Sequence, residues 1–412
     1  IPNEFERAIY LDNHATTAVD ARVKAAMLPF LEGEFGNPGS RTHRFGQRAR
    51  RAVDDARAAI AKALSATAAE IVLTSGATES LNLAIRGLAR HGRGQPGRRV
   101  VCFAADHSAT LACVEATADD GMVPLVLPVD TAGRPDLAAL QTALAQAGQG
   151  GTLAVCVTAV HNELGVVAPV AAIAAQCRIA GALLIVDAAQ APGRIRIDVD
   201  AWDADLVAVT AHKCYGPKGA GALFVRRRNR TVALAPLMVG GGQEQGLRPG
   251  TLAVAQIAGL AQALVLADAE RDDDNSRITG LRDQLWLDLA SLEGARRNSS
   301  GDDVVAGNLS AHFDGVDVAS LLVALPDLAL SAGSACASGT PRPSAALLAI
   351  GLDERAALST VRICVGRFNT AAEITFAGLR LREAIEQQRA ASPLWAMRHD
   401  RAALDALGWG GR

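Results

Sequence analysis

Short runs of β-branched and aliphatic residues alternate with Ala-rich amphipathic stretches from about residue 20 to residue 260. The short runs are bounded by small or polar residues, as expected for strands, and the longer stretches have the character of helices that cover a sheet. This alternation is typical of βα units around a mainly parallel sheet and predicts an α/β fold. The predicted strands are IVL (71–73), VVCF (100–103), LAVCVTAV (153–160), LLIVDA (183–188), LVAVTA (206–211) and ALFVRR (222–227).

The chain is long enough for two domains. With 412 residues, of which 50% are hydrophobic, it can bury more than one core. A helical pattern from Thr251 to about Leu292 marks the passage into a second, α+β region. We therefore predict a large domain over residues 15–262 and a small domain formed by residues 1–14 and 263–412.

Composition and charge exclude several classes of partner. The formal net charge is −2 and only 4% of the residues are aromatic, so the chain lacks the basic and stacking character of a nucleic-acid-binding protein. Residues 1–17 have no signal-peptide pattern, and we expect no membrane span. Seven scattered cysteines without a CxxC pair predict neither disulfides nor a metal site and favour a cytoplasmic location.

Residues at or just after the ends of two predicted strands can bind a positively charged aromatic ring. Lys213, in VTAHKCYGPKGAGALFV (209–225), can form a Schiff base, although an isolated lysine is more often a surface residue. Asp187 ends LLIVD, where a buried carboxylate would need a cationic partner such as a protonated pyridine nitrogen. A helix N-cap is the alternative for Asp187. Gln190 lies three residues further on and could reach an oxygen on the same ring.

Two further strand ends offer an anion site and an imidazole. In TSGATES (74–80), Gly76, Ala77 and Thr78 bring backbone N–H groups and a hydroxyl to the start of a helix, which suits a phosphate. A simple helix cap is the alternative explanation. His107 in ADHSAT can stack on a planar ring and relay protons, although a lone histidine is more often structural.

The second region contains a candidate nucleophile and a candidate carboxylate-binding residue. Cys336 lies in SAGSACASGT, a small-residue setting that differs from the strand and helix patterns around most of the other cysteines. It is interpreted as a nucleophile or as an incidental exposed thiol, whereas the other six are interpreted as core residues. Arg367 in VRICVGRFNT can bind a carboxylate in a bidentate pair or form an ordinary surface ion pair.

Together these segments resemble the cysteine desulfurases of the iron–sulfur-cluster assembly type, which are class V aminotransferases and fold-type I pyridoxal-phosphate enzymes. The resemblance covers almost the whole chain. It implies a mainly parallel seven-stranded sheet, a smaller α+β domain, pyridoxal 5′-phosphate as cofactor and conversion of L-cysteine to L-alanine. The motifs that carry it are IYLDNHATT, FGNPGSRTHRFG, TSGATESLNLAIRG, HNELGVV, VDAAQ, AHKCYGPKGAGALFVRRR, GGGQEQGLRPGT, SAGSACAS and VGRFNT.

The resemblance also implies residue roles. Lys213 forms the Schiff base, Asp187 pairs with the pyridine nitrogen, and Gln190 contacts the phenolic oxygen. His107 stacks on the ring, Arg367 binds the substrate carboxylate, and Cys336 receives the sulfur as a persulfide. The remaining implied contacts are Ala77, Thr78, Thr210 and His212 to the phosphate, Asn162 to cofactor and substrate, and Thr251 to the phosphate of a neighbouring subunit in a homodimer. A sulfur acceptor protein, such as an iron–sulfur scaffold, is the implied partner.

Three positions depart from the family pattern: His161 and Pro249 stand where Asn and Ser are usual, and His14 occupies a variable position. Because of these departures, the resemblance constrains the identity of the cofactor more than the preferred substrate. Related activities on the same fold, namely selenocysteine lyase, another C–S lyase or an aminotransferase, are the nearest alternatives. A non-catalytic sulfur-transfer partner is the alternative from another class.

Overall fold

The chain is divided into two compact units. In this computed structural model, residues 7–92, 95, 97–148, 150–332 and 342–400 are described. The large unit consists of His14–Asn162 and Val166–Asn275, and the small unit consists of Ile1–Asn13, Glu163–Gly165 and Ser276–Arg412. The predicted domain boundary near residue 262 falls inside a helix, Val254–Ala269, which belongs to the large unit.

The large unit contains a seven-stranded sheet. Its strands are β2 (Ile71–Thr74), β3 (Arg99–Phe103), β4 (Val123–Leu127), β5 (Thr152–Thr158), β6 (Leu183–Asp187), β7 (Leu206–Thr210) and β8 (Gly221–Val225). They lie in the order β2-β8-β7-β6-β5-β3-β4, and only β8 runs antiparallel to its neighbours. The carboxyl ends of the other six strands therefore meet at one edge, which is where ligands bind in such sheets.

All six strands predicted from the sequence are present. Every residue of β5, β7 and β8 is buried, the pattern of strands covered on both faces. The seventh strand, β4, was not predicted individually. It contains Pro124, and Val123 and Val126 are exposed because the strand forms one edge of the sheet.

Helices of the large unit cover this sheet. They are α1 (Ala21–Leu31), α2 (Arg44–Ala63), α3 (Ala77–His91), α4 (Ser108–Glu115), α5 (Leu137–Ala145), α6 (Val170–Ala180) and α7 (Val254–Ala269), with short 3₁₀ turns at Ala68–Glu70, Ala116–Asp120 and Gln243–Gly246. Leu81 and Leu88 of α3 pack with Val100 and Ile185 of the sheet in one apolar core. Helix α3 is therefore held against the sheet with its first turn at the carboxyl-end edge.

The small unit is an α+β assembly. Its elements are β1 (Ile9–Tyr10), α8 (Arg271–Ala290), β9 (Ala295–Arg297), β10 (Asn308–Phe313), α9 (Val318–Ala324), β11 (Leu328–Ala329), β12 (Ser331–Ala332), α10 (Ala345–Ala349), α11 (Glu354–Leu358), β13 (Thr360–Cys364), α12 (Ala371–Ala390) and α13 (Pro393–Ala396). Its strands form an antiparallel sheet in the order β12-β13-β10-β9 and a parallel pair, β1-β11. Leu285, Phe313, Ile363 and Leu381 lie in its apolar core. Helix α8 begins in the large unit and continues into the small unit.

Six cysteines lie in the described residues, and all six are buried and free of disulfides, as their strand and helix patterns predicted. Burial raises the pKa of Cys102 and Cys177 to about 12. Among the helices of the described ranges, none has the length and apolar character needed to span a membrane.

Candidate active site

A cavity of about 560 Å³ opens at the carboxyl-end edge of the large unit's sheet. Residues that end β5, β6 and β7 line it, namely Thr158, Asp187 and Thr210. Residues that are far apart in the sequence share this pocket because parallel strands end at the same edge. Nine of the residues predicted for the site line it: Ala77, Thr78, His107, Asn162, Asp187, Gln190, Thr210, His212 and Lys213.

One end of the cavity is the start of α3. In the described part of the chain no side chain caps this helix, and the N–H groups of its first turn have no acceptor within the helix. The backbone here lies very close to β8: a Cβ atom on Gly221 would be 2.5 Å from the Cα of Gly76. Only glycine at position 221 allows this approach, which brings the N–H groups of Ala77 and Thr78 to the end of the sheet. This end of the pocket can bind an anion.

His212 and Lys213 are held by the residues after β1. Thr17 donates from its backbone nitrogen and its hydroxyl to the carbonyl oxygen of His212, at 2.8 and 3.0 Å. His212 Nδ1 lies 3.2 Å from Thr16 Oγ1. Burial, together with the charges of Lys213 and Lys218, lowers the pKa of His212 to about 4. The imidazole of His212 is therefore neutral at pH 7.

Asp187 and Gln190 form the buried base of the cavity, with exposed fractions of 4% and 2%. Asp187 Oδ1 accepts a hydrogen bond of 2.9 Å from Ala189 N. Gln190 Nε2 donates to the carbonyl oxygen of His14 at 2.7 Å, while Gln190 Oε1 and Thr158 Oγ1 are buried without a hydrogen-bond partner in the described part of the chain. The lining thus contains a buried carboxyl group and polar atoms that lack a hydrogen-bond partner among the described residues.

His107 follows β3 and caps α4. Its Nδ1 accepts a hydrogen bond of 3.1 Å from Ala109 N, so Nε2 is the nitrogen that carries the proton in the neutral ring. Burial lowers the pKa of His107, and the nearby charge of Lys213 lowers it further. His107 is therefore a neutral imidazole with one nitrogen already engaged by the protein.

Asp106 was not predicted as a site residue, although it precedes His107. Its Oδ2 accepts from Phe103 N and its Oδ1 accepts from Thr158 N, both at 2.8 Å. Burial raises the pKa of Asp106 to about 6. The carboxyl group joins the ends of β3 and β5 and so fixes the loop that carries His107. The ADHS segment at a strand end was its only sequence signal.

His14, noted only as a departure from the family pattern, lies beneath the cavity and is 1% exposed. Arg194 Nε donates to His14 Nε2 at 3.2 Å, so His14 Nδ1 carries the proton and donates to the carbonyl oxygen of Asn162, also at 3.2 Å. Arg194 further donates to the carbonyl oxygens of Gln190 and Lys213, at 3.0 and 3.2 Å. His14 and Arg194 thus link three residues that line the cavity.

The other departures lie outside this cavity. His161 is buried and its Nε2 lies 2.6 Å from the carbonyl oxygen of Ala105. It lines a small separate space with Phe103, whereas its chain neighbour Asn162 lines the main cavity. Pro249 is half-buried next to Gly240.

Three predicted site residues do not line the cavity or are not described. Thr251 is exposed and lines a second space of about 440 Å³ in the large unit, together with Arg41, Arg50 and Arg57. Arg367 follows β13 in the small unit, and its carbonyl oxygen accepts a hydrogen bond from Arg277. Cys336 lies outside the described residues.

Arg362 of β13 is a second arginine of this segment and was not predicted as a site residue. Arg362 is buried, and its Nη2 donates to Asp12 Oδ1 at 2.7 Å within the small unit. It stands five residues before Arg367 in the same motif. A buried arginine in a strand gave no sequence signal beyond that motif.

Comparison with known proteins identifies the family. The class V aminotransferase family matches residues 9–376. The cysteine desulfurase IscS of Tolumonas auensis is 43% identical over 403 residues, which cover 97% of this chain and 98% of that protein. Among solved structures, a NifS-like protein has a TM-score of 0.83 at 30% identity and covers 92% of this chain and 98% of its own. DndA from Streptomyces lividans has a TM-score of 0.73 at 38% identity, with coverages of 86% and 99%. The chain therefore belongs to the class V aminotransferase family and, within it, to the cysteine desulfurases.

Proposed function

We propose that this protein converts L-cysteine to L-alanine with the help of pyridoxal 5′-phosphate and keeps the sulfur as a persulfide on Cys336. The observation that carries the proposal is the cavity of the large unit, where Lys213, the buried Asp187 and the uncapped start of α3 surround one space. This combination suits a ligand with a carbonyl group, a ring cation and a phosphate. The family membership of the chain supports the same cofactor.

The residues of the cavity fit that cofactor. Burying an uncompensated carboxylate costs several kcal/mol, and a protonated pyridine nitrogen beside Asp187 would offset that cost. Gln190 Oε1 and Thr158 Oγ1 are polar atoms that still lack a partner in the described structure. When bound, pyridoxal phosphate supplies an electron sink that weakens bonds at the Cα and Cβ atoms of the substrate.

We assign the phosphate to the end of the cavity formed by α3. The N–H groups of Ala77 and Thr78 and the hydroxyls of Thr78 and Thr210 would bind its oxygens, and the neutral His212 would donate one further hydrogen bond. Lys218 also lines the cavity and adds a positive charge. At the other end, Asp187 and Gln190 would orient the ring.

Proton transfer is assigned to Lys213 and His107. Lys213 would hold the cofactor covalently, and its amino group would also be placed to remove the proton from the substrate Cα and to return a proton to the substrate. His107 would stack on the ring. Because Nδ1 of His107 is engaged by Ala109 N, only Nε2 is available for proton exchange.

Removal of sulfur from the substrate needs a nucleophile in addition to Lys213. The Cys336 thiolate would form a bond to the substrate Sγ while the Cβ–Sγ bond breaks; the electron pair goes to Cβ, which takes up a proton. One cysteine and one thiol thus give one alanine and one persulfide. Asn162 and Arg367 would hold the substrate, Arg367 through its carboxylate, and the buried Arg362 is a second candidate for that contact.

The proposal includes a homodimer in which Thr251 reaches the phosphate of the neighbouring subunit. Support comes from the exposure of Thr251 and from the three arginines that line the same space. We further propose that a protein, such as an iron–sulfur scaffold, accepts the sulfur in the cytoplasm. The buried cysteines and the absence of disulfides among the described residues agree with a reducing compartment.

The test is to incubate the protein with L-cysteine and to measure alanine by chromatography and Cys336 persulfide by mass spectrometry. We expect stoichiometric persulfide in the first turnover and alanine in equal amount. Cys336→Ala should retain the bound cofactor but lose both products, while Cys177→Ala, which removes a buried thiol from α6, should retain both. Alanine formation that is unchanged in Cys336→Ala would exclude the persulfide mechanism.

A further inference from the structure

Two consecutive residues of the large unit have a left-handed backbone although neither is glycine. Glu244 has φ 49° and ψ 41°, and Gln245 has φ 59° and ψ 29°. This region is unfavourable for L-residues with a long side chain, and such strain persists only where the surroundings hold it. The two residues begin the segment 244–251, which leads to Thr251. The fold therefore maintains this segment against the intrinsic preference of its backbone.

The carboxylate of Glu244 attaches this segment to the rest of the large unit. It is buried and accepts a bidentate pair from Arg57 of α2, with Nη1 at 2.8 Å from Oε2 and Nη2 at 2.6 Å from Oε1. Oε2 also accepts from Leu73 N of β2 at 2.7 Å. Arg57 donates to the carbonyl oxygen of Ile71 as well, at 2.7 Å. Three charge-assisted hydrogen bonds thus fix Glu244 to a helix and a strand of the large unit.

A second attachment follows four residues later. Arg248 Nε donates to Glu79 Oε1 at 2.9 Å, and Glu79 Oε2 accepts from Ser75 N at 2.7 Å. Ser75 and Glu79 flank the start of α3 and line the cavity described above. Gln243 Oε1 accepts from Gly250 N at 2.9 Å and closes the segment on itself. The segment is therefore fixed at its first residue to α2 and β2 and, through Arg248, to the first turn of α3.

We propose that Glu244 is a positioning residue, which holds residues 244–245 in their left-handed conformation. Through the segment that follows, Arg248 then stabilises the start of α3, and Thr251 is placed for the phosphate of the neighbouring subunit. This inference rests on the proposed function, because it takes the start of α3 as the phosphate site. Glu244 does not line the main cavity and acts only through the segment that follows it. Loss of its carboxylate would therefore weaken phosphate binding without removing a phosphate ligand.

The test is a titration of the cofactor-free protein with pyridoxal phosphate, without substrate. Glu244→Gln removes the charge and directs an amide N–H₂ group at Arg57 or Leu73 N. We expect its Kd for the cofactor to rise about tenfold or more. Arg57→Lys, which retains the charge but not the bidentate geometry, should raise the Kd by a smaller factor. Glu34→Gln removes another glutamate that pairs with an arginine of α2, Arg48, and is the matched control. Its Kd should equal that of the wild type.

A second substitution separates positioning from general stability. Gln245 is exposed, and glycine adopts its left-handed conformation without a steric penalty. Gln245→Gly in the Glu244→Gln background should therefore restore most of the cofactor affinity, even though the ion pair with Arg57 is still absent. A purely structural ion pair would give no such recovery.

The outcomes are distinct. A folded Glu244→Gln protein with wild-type Kd, or a double variant as weak as the single one, would overturn the positioning role of Glu244. Wild-type protein that takes up no pyridoxal phosphate would instead overturn the proposed function, and this inference with it.

Discussion

Arg194 donates a hydrogen bond from Nε to Nε2 of His14, and this contact fixes the tautomer of a histidine that lies beneath the cavity. His14 in turn donates to the carbonyl oxygen of Asn162 and accepts, at its own carbonyl oxygen, from Gln190. The two residues connect the chain after β1 with the segments that follow β5 and β6. His14 is thus a structural support of the site in this chain.

Replacement of His14 should therefore destabilise the large unit. His14→Phe keeps the ring volume but removes the hydrogen bonds of the imidazole to Arg194 Nε–H and to the carbonyl oxygen of Asn162, so we expect the free energy of unfolding to fall by about 1–3 kcal/mol. Urea unfolding measures this loss. His91→Phe, at an exposed position in the last turn of α3, is the control and should change the stability by less than about 0.5 kcal/mol. Equal effects of the two substitutions would refute the supporting role of His14.

Lys213 should be the residue that binds the cofactor covalently. We expect Lys213→Ala to lose the visible absorption band of the lysine-bound cofactor and to form no alanine. Lys218→Ala, which removes a second lysine from the same cavity, should retain the band. Absorption spectra of the purified proteins before and after borohydride treatment give the result, and a band that survives in Lys213→Ala would mean that another lysine is used.

The stability of the cofactor-free protein should depend on pH through His212. Its pKa is about 4 in the folded chain against about 6.5 when unfolded, so the unfolded chain binds more protons between these values. The contribution of His212 is present above pH 6.5 and is lost as the pH falls toward 4. Because the ring is partly exposed and solvent screens its charge, we expect this residue to contribute a loss of only about 1–3 kcal/mol in the free energy of unfolding. His212→Gln should show a shallower decline in urea unfolding between about pH 4.5 and 7; an identical slope would contradict the assignment.

Thr251 should act across a dimer. In a mixed dimer of Lys213→Ala and Thr251→Ala chains, one site contains wild-type Lys213 and, from the other chain, wild-type Thr251. We expect that site to bind the cofactor as tightly as the wild type, whereas the Thr251→Ala homodimer should bind it more weakly. If Thr251 serves the site of its own chain, the mixed dimer will be as weak as that homodimer. Solution mass measurement establishes the dimer beforehand.

The KM for L-cysteine should show which of two arginines binds the substrate carboxylate. Arg367→Lys should raise the KM for L-cysteine about tenfold or more while the Kd of the cofactor is unchanged, since lysine cannot form the bidentate pair with a carboxylate. The parallel variant is Arg362→Lys. A KM effect confined to Arg362→Lys would transfer the role from Arg367 to the buried arginine of β13.

Much of the candidate site was predictable because the fold is simple to recognise. Parallel strands bring their carboxyl ends to one edge, so Asp187 and Lys213 could be assigned to one pocket from strand patterns alone. Thr78 was predicted as a site residue because it lies at the start of a helix. The same logic predicted the sheet itself, apart from β4, where Pro124 interrupts an otherwise apolar run and is typical only of edge strands.

Other features depend on tertiary contacts that leave no local pattern. Asp106 matters because its carboxyl oxygens reach the N–H groups of two different strands, and His14 matters because Arg194 approaches from 180 residues away. The left-handed conformation of Gln245 is likewise invisible in the sequence, since glutamine is not the residue that a turn of this type prefers.

The burial of the cysteines has a practical consequence for measuring sulfur. Alkylating reagents attack thiolates, and burial raises the pKa of Cys113 to about 11 and those of Cys102 and Cys177 to about 12, far above neutral pH. The six described thiols are also shielded from the reagent in the native protein. These six thiols should therefore contribute little to the label incorporated before unfolding. An alkylated persulfide is a disulfide that a reductant cleaves, whereas an alkylated thiol is a stable thioether. Label that dithiothreitol releases therefore reports persulfide on the unmodified protein, without a cysteine-free background.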